Sequence, residues 1–196
     1  MRIYSRILAN KLISICFKGK IIMLVGARQT GKTTLSNVIL EHFKEKYLIK
    51  RFNCDDPEDR EQLTNKSLDS LLLLMGKASF IFIDEGQKVS TIGQTLKLLI
   101  DHYKDTVQMI VTGSSSIHLL DQTQEPLTGR KYLYQLHPLS ISEIQPIQDP
   151  LFLTKHLEEY LIYGSYPHVA QLASPEEKIH ELKEISSSYL YRDIFE

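Results

Sequence analysis

Apolar residues follow two alternating rhythms along the chain. Ile3, Ile7, Leu8, Leu12 and Ile15 recur at helical spacing and predict an amphipathic helix, which Lys18-Gly19-Lys20 breaks. Ile21-Ile22-Met23-Leu24-Val25 then forms an unbroken apolar run, the pattern of a strand buried on both faces of a parallel sheet. A glycine-bearing loop follows, and Leu35, Val38, Ile39 and Phe43 mark one face of a helix. Tyr47 to Asn53, Phe80 to Ile83, Val107 to Val111 and Tyr132 to Leu136 are further strand candidates. Asp56-Pro57-Glu58-Asp59 has the form of a helix start, with Asp56 as N-cap and proline at the first helical position. Leu96, Leu99, Ile100 and Tyr103 line another helical face, and the run Leu71 to Leu74 is assigned to the core. Buried strands alternating with helices predict an α/β fold with a mainly parallel sheet.

The pattern changes after Pro138. Leu157, Tyr160 and Leu161 suggest a helix ended by Gly164. Ser174-Pro175-Glu176-Glu177 reads as a capping box opening another helix, with Ile179, Leu182, Ile185 and Tyr189 on one side. The expected organisation is a core with its N-terminal helix over residues 1–138 and a helical appendage over 139–196. The chain stops at Asp193-Ile194-Phe195-Glu196 without a breaker, which predicts the front part of a longer protein.

Composition narrows the class. At 42% hydrophobic and 24% charged residues, the 196-residue chain is ordinary for a soluble globular protein. A net charge of −1 supplies no general attraction to nucleic acid or anionic lipid, so nucleic-acid association is not supported by charge. The two cysteines, Cys16 and Cys54, lack CxxC spacing and read as reduced thiols of a cytoplasmic protein. The apolar stretch Leu12 to Phe17, interrupted by Ser14, is too short to span a membrane.

The chemistry concentrates at strand ends. Gly26-Ala27-Arg28-Gln29-Thr30-Gly31-Lys32-Thr33 fits G-x-x-x-x-G-K-[ST], and it follows a buried strand and opens a helix as that motif requires. Glycines let the backbone turn its N–H groups onto phosphates, and the helix N-terminus adds partial positive charge. Lys32 is expected to reach the β- and γ-phosphates, Thr33 to ligate Mg²⁺, and Thr34 to touch the α-phosphate. The strand Phe80-Ile81-Phe82-Ile83 ends in Asp84-Glu85. Asp84 is the candidate Mg²⁺ carboxylate and Glu85 the candidate base that polarises water, a pairing that favours hydrolysis over small-molecule kinase chemistry. Asn65-Lys66-Ser67-Leu68 departs from the guanine signature N-K-x-D at its last position, which favours ATP over GTP. The strand ending Thr112-Gly113-Ser114 offers a polar tip, with Ser114 the first choice and Thr112 the second for contacting the γ-phosphate. Arg130, in Gly129-Arg130, is a candidate for stabilising transition-state charge in its own site or a neighbour's. His180-Glu181-Leu182-Lys183-Glu184 has Glu where a zinc protease motif needs its second His, so it is not a metal site.

Taken together these stretches resemble the bacterial and archaeal AAA-type ATPases of AAA family fourteen, which are usually joined to a C-terminal domain of unknown function. The resemblance is carried by the phosphate loop through Leu35, Asn53-Cys54-Asp55-Asp56-Pro57, Ile83-Asp84-Glu85-Gly86-Gln87-Lys88 and Thr112-Gly113-Ser114-Ser115-Ser116. It continues through Leu127-Thr128-Gly129-Arg130, Leu136-His137-Pro138-Leu139-Ser140 and Tyr163-Gly164-Ser165-Tyr166-Pro167. Gly86 departs from the pattern, where a larger apolar residue is commoner. The resemblance implies a P-loop NTPase three-layer sandwich with a five-stranded, additional-strand sheet, followed by a small helical region. Tyr191-Arg192-Asp193-Ile194 resembles the entry to the family's C-terminal half. Three functions follow as expectations: an Mg²⁺-dependent ATPase acting on a partner or on its own C-terminal domain; a nucleotide-dependent switch with little turnover; and a nucleic-acid-associated module. An oligomer is compatible with each.

Overall fold

A computed structural model describes residues 3–113, 116–145, 149 and 151–187. It divides into two compact units, Met1–Ile7, Ala27–Gly31 and Leu136–Glu196 forming the first and Leu8–Gly26 and Lys32–Gln135 the second. Two short segments, residues 1–7 and 27–31, group with the part from Leu136 onward.

The second unit is built on five strands, β1 (Ile21–Val25), β2 (Ile49–Asn53), β3 (Phe80–Asp84), β4 (Gln108–Gly113) and β5 (Lys131–Gln135). Their order is β2-β3-β4-β1-β5, and every pairing is parallel. The three central strands are the long apolar runs of the sequence, because they are covered on both faces. Ile21, Met23, Val25, Ile81, Ile83, Met109 and Val111 belong to one core. Leu63 of α3 (Pro57–Leu63), Leu71 of α4 (Leu68–Met75), and Leu96 and Leu99 of α5 (Ile92–Tyr103) complete it. Ile22, Leu24, Phe82 and Ile110 alternate onto the opposite face and are equally buried, and α2 (Lys32–Phe43) buries Leu35, Ile39 and Leu40. The edge strands β2 and β5 are only partly buried and mix polar with apolar residues, so they carry a weaker periodic signal.

Several boundaries differ from the sequence expectation for local reasons. Tyr47 lies outside β2, its ring stacked on Phe17 with centroids 4.3 Å apart. Buried Gln108 opens β4; its amide donates to the Lys20 carbonyl and accepts from the Phe17 N–H. The leucine run is not all core: α4 turns Leu71 inward and leaves Leu73 86% exposed. Asp56 caps α3 as expected, accepting from the Glu58 N–H at 2.9 Å.

Residues 3–6 are not helical, and the expected helix starts only at Ile7 as α1 (Ile7–Ile15), of which Ile7 belongs to the first unit and Leu8 onward to the second. The Ile7 N–H is satisfied by the Glu143 carboxylate at 2.9 Å, which ends the helix there. The first unit holds α7 (Ile141–Ile144), α8 (Phe152–Tyr163) and α9 (Pro175–Ile185), and α6 (Ser116–Gln124) belongs to the second unit. The expected capping box is present: Ser174 Oγ accepts from the Glu177 N–H at 3.1 Å. Gly164 ends α8 at φ 70°. Buried Lys178 of α9 is paired with Glu159 of α8. The apolar face expected on α8 is open, with Leu161 76% exposed. Tyr189 and Tyr191 to Ile194 lie outside the described residues. No described helix is long and apolar enough to cross a membrane.

Candidate functional site

In a parallel sheet all C-terminal strand tips face the same edge, where ligands bind in open α/β folds. Here the register pairs Val25 with Gly113, Asn53 with Asp84 and Ile83 with Val111, which brings Asp84 level with Thr112. Lys32 and Thr33 open α2 directly after the loop that leaves β1.

The second unit thereby assembles residues far apart in sequence. The Thr33 hydroxyl donates to Asp84 Oδ2 at 2.9 Å across 51 residues. Thr112, fully buried, donates to the other carboxylate oxygen, Asp84 Oδ1. The carboxylate is therefore gripped on both oxygens, one from the helix and one from β4. Lys32 is 6% exposed, and its ammonium donates to the Gly26 carbonyl at 2.9 Å. A buried ammonium requires polar or charged partners.

Glu85 sits in the left-handed region at φ 53°. Its N–H donates to the Thr112 hydroxyl at 3.4 Å, and its carboxylate accepts from Gln87 Nε2 at 2.5 Å. Gly86 follows, and a Cβ there would meet Val111 Cγ1 at 2.6 Å. The small residue at this position thus follows from the close approach of the turn to β4, and a larger apolar side chain would require that turn to shift. Asp55 does not join the carboxylates; it pairs with Lys88.

The middle of the loop belongs to the first unit. Gln29 and Gly31 both take positive φ, 62° and 92°, on either side of buried Thr30, whose hydroxyl donates to the Ala27 carbonyl at 2.8 Å. Such alternation curls successive amides into an anion-accepting concavity. Arg28 is half-buried, and Thr34 is exposed on the first turn of α2.

Arg130 lies elsewhere. It precedes Lys131, which pairs with Ile21, so it stands at the N-terminal edge of the sheet. One strand length, about 16 Å at ~3.3 Å per residue, separates that edge from the tips. There Arg130 Nε donates to Asp101 at 2.6 Å, and this exposed pair holds the Asp101 carboxyl below its ordinary value. Ser114 lies outside the described residues.

Sequence reasoning did not foresee Thr112 as the donor that holds Asp84, nor Gln87 as the donor to Glu85. The second was signalled weakly, by an amide two residues beyond the carboxylate pair. The first depends on the β3–β4 register and has no local signal.

A family model described as an AAA domain, AAA family fourteen, matches residues 18–145. An uncharacterized protein of Mycobacterium tuberculosis is 30% identical over 144 residues, 74% of this chain and 31% of that protein. One of Methanocaldococcus jannaschii is 29% identical over 213 residues, covering all of this chain and 45% of that protein. The chain thus spans 31% to 45% of the length of these curated relatives. Among solved structures, AMPPCP-bound DnaA from Aquifex aeolicus aligns with a TM-score of 0.53 at 14% identity, over 90% of this chain and 59% of that one. Domain III of the Thermotoga maritima replication initiation protein DnaA aligns with a TM-score of 0.52 at 14% identity, over 90% of this chain and 89% of that one. These likenesses establish the fold.

Proposed function

This chain belongs to AAA family fourteen, and on that premise we propose that Gly26 to Thr33 bind the phosphates of ATP with Mg²⁺ and that the chain hydrolyses it to ADP and phosphate. The observation that carries the reading is the contact between Thr33 and Asp84 at 2.9 Å beside a buried Lys32. A hydroxyl and a carboxylate are hard oxygen donors, the partial protein set that Mg²⁺ takes when phosphates and water complete its shell. When bound, the ion neutralises charge developing on the phosphate oxygens. Lys32 exchanges the Gly26 carbonyl for the β- and γ-phosphates, and Thr34 lies on the same helical turn for the α-phosphate. Thr112 keeps Asp84 aimed. Glu85 polarises the attacking water once released from Gln87. The aligned Aquifex aeolicus DnaA is bound to AMPPCP, which supports a triphosphate of this kind. Arg130 is left for a neighbouring subunit's nucleotide in an oligomer, and Ser114 for the γ-phosphate.

The nucleotide state would act on the helical region or on the rest of a longer cytoplasmic protein. A second reading, a switch with little turnover, is favoured by the 2.5 Å bond that holds Glu85 on Gln87. Binding and single-turnover hydrolysis of Mg-ATP separate the two. Glu85→Gln should retain binding and lose turnover, and Gln87→Ala should raise turnover if the held glutamate limits it. Equal rates in wild type and Glu85→Gln would sink the hydrolytic reading. Unchanged affinity in Lys32→Ala would overturn the phosphate-loop assignment.

A further inference from the structure

Two of the family's stretches, Leu136-His137-Pro138-Leu139-Ser140 and Tyr163-Gly164-Ser165-Tyr166-Pro167, have no part in the chemistry above. Within the first unit both converge on the N-terminal arm and on the phosphate loop. The Leu139 N–H donates to the Ser165 carbonyl at 2.9 Å, joining the two stretches. Pro167 Cγ lies 3.9 Å from where a Gly31 side chain would begin. Tyr4 in the arm donates to the Ala170 carbonyl at 3.5 Å.

Arg6 stands at the centre of this cluster. Its Nη1 donates to the Thr30 carbonyl at 3.2 Å and its Nη2 to the His137 carbonyl at 2.6 Å. Its Nε lies 3.2 Å from Glu143 Oε1, with both side chains under 10% exposed. Glu143 is itself fully used: Oε1 accepts from the Ile7 N–H at 2.9 Å, and Oε2 from the Ser140 N–H at 2.9 Å. A buried ion pair is kept at a desolvation cost, which its hydrogen bonds to Thr30, His137, Ile7 and Ser140 offset here.

We propose that Arg6 is a positioning residue for the phosphate loop, clamping the Thr30–Gly31 peptide and linking the loop's nucleotide state, through Glu143, to the Ile7 amide and α7. The physical reason is the planarity of the peptide bond. The Thr30 carbonyl and the Gly31 N–H belong to one trans plane and point in opposite directions. Fixing the oxygen on the guanidinium therefore fixes the amide on the other side, where a phosphate-loop donor is needed. Without the clamp this plane can flip at little cost, because Gly31, at φ 92°, tolerates both signs of φ. The same guanidinium holds His137 and Glu143, so a phosphate that tightens the Gly31 amide also tightens the start of α1 and the capping box of α7. This inference rests on the phosphate-loop reading of Gly26 to Thr33.

The test is Mg-ATP binding to the whole chain, combined with amide hydrogen exchange at saturating nucleotide, for wild type, Arg6→Lys, Arg6→Gln and Lys32→Ala. Wild type should show nucleotide-dependent slowing of exchange at Ile7 and across residues 140–145. Arg6→Gln should raise Kd roughly tenfold, about 1.4 kcal/mol, and abolish that slowing even when saturated. Arg6→Lys keeps the charge but cannot serve both carbonyls; it should fall between the two and decides the matter if Arg6→Gln does not fold. Wild-type affinity and wild-type protection in Arg6→Lys and Arg6→Gln, with binding lost in Lys32→Ala, would overturn the clamp alone. Unimpaired binding in Lys32→Ala would overturn the phosphate-loop reading and the clamp with it.

Discussion

Replacing Thr112 with valine tests whether the grip on Asp84 matters to metal-dependent binding. Valine keeps the β-branched shape at this fully buried position and replaces the hydroxyl with a methyl group. Two interactions go with it: the bond to Asp84 Oδ1, and the one that accepts the Glu85 N–H at 3.4 Å. A hydrogen bond to a charged group contributes about 1.5–3 kcal/mol. Asp84 is only partly buried, so water can replace part of the loss. The net cost to folding should be about 1–2 kcal/mol, read as a lower urea midpoint. The functional consequence is more specific. With only Thr33 still on Oδ2, at 2.9 Å, the carboxylate can rotate away from the position in which it is proposed to hold Mg²⁺. Affinity for Mg-ATP should fall roughly tenfold, about 1.4 kcal/mol, while affinity for ATP in EDTA changes little. Thr112→Ser should restore both. Isothermal titration with and without Mg²⁺ measures the difference. An equal loss with and without the cation, or no loss at all, would refute the idea that Thr112 acts through Asp84.

Two further outcomes follow from the geometry. Arg130→Ala should leave Mg-ATP affinity of the dilute chain unchanged, since Arg130 stands at the opposite edge of the sheet, paired with Asp101; a loss of affinity in equilibrium dialysis would contradict that placement. Burial pushes the thiols of Cys16 and Cys54 up to about 12 from 9.0. Their folded values lie above the unfolded one, so their contribution is intact below pH 9 and is lost as pH rises towards 12; each thiol lowers stability by about 1.4 kcal/mol per pH unit in that window. Urea titrations of wild type and Cys54→Ala from pH 8 to 10.5 should converge as pH rises, and parallel curves would contradict the burial argument.

The linear order of residues already determined much of this protein. Ile21-Ile22-Met23-Leu24-Val25 and Phe80-Ile81-Phe82-Ile83 declare buried parallel strands because both of their faces are covered, so no polar alternation is needed. The G-x-x-x-x-G-K-[ST] spacing is legible because phosphate binding by a strand–loop–helix unit is local, contained in a few consecutive residues. The Ser174 capping box and the Asp56-Pro57 helix start are local in the same way. Edge strands and exposed helix faces were less legible, as Leu73 and Leu161 show: burial there depends on what lies opposite, which spacing does not encode. Only the tertiary structure decided which polar residues meet. The parallel register brings Thr112 to Asp84, α2 brings Thr33 to the same carboxylate, and β5's direction carries Arg130 to the far edge. Arg6 meets Thr30 across 24 residues and His137 across 131, so no window of sequence contains the clamp. Hydrogen bonds of a few ångströms require the chain to close those distances first, and that closure is a property of the whole fold.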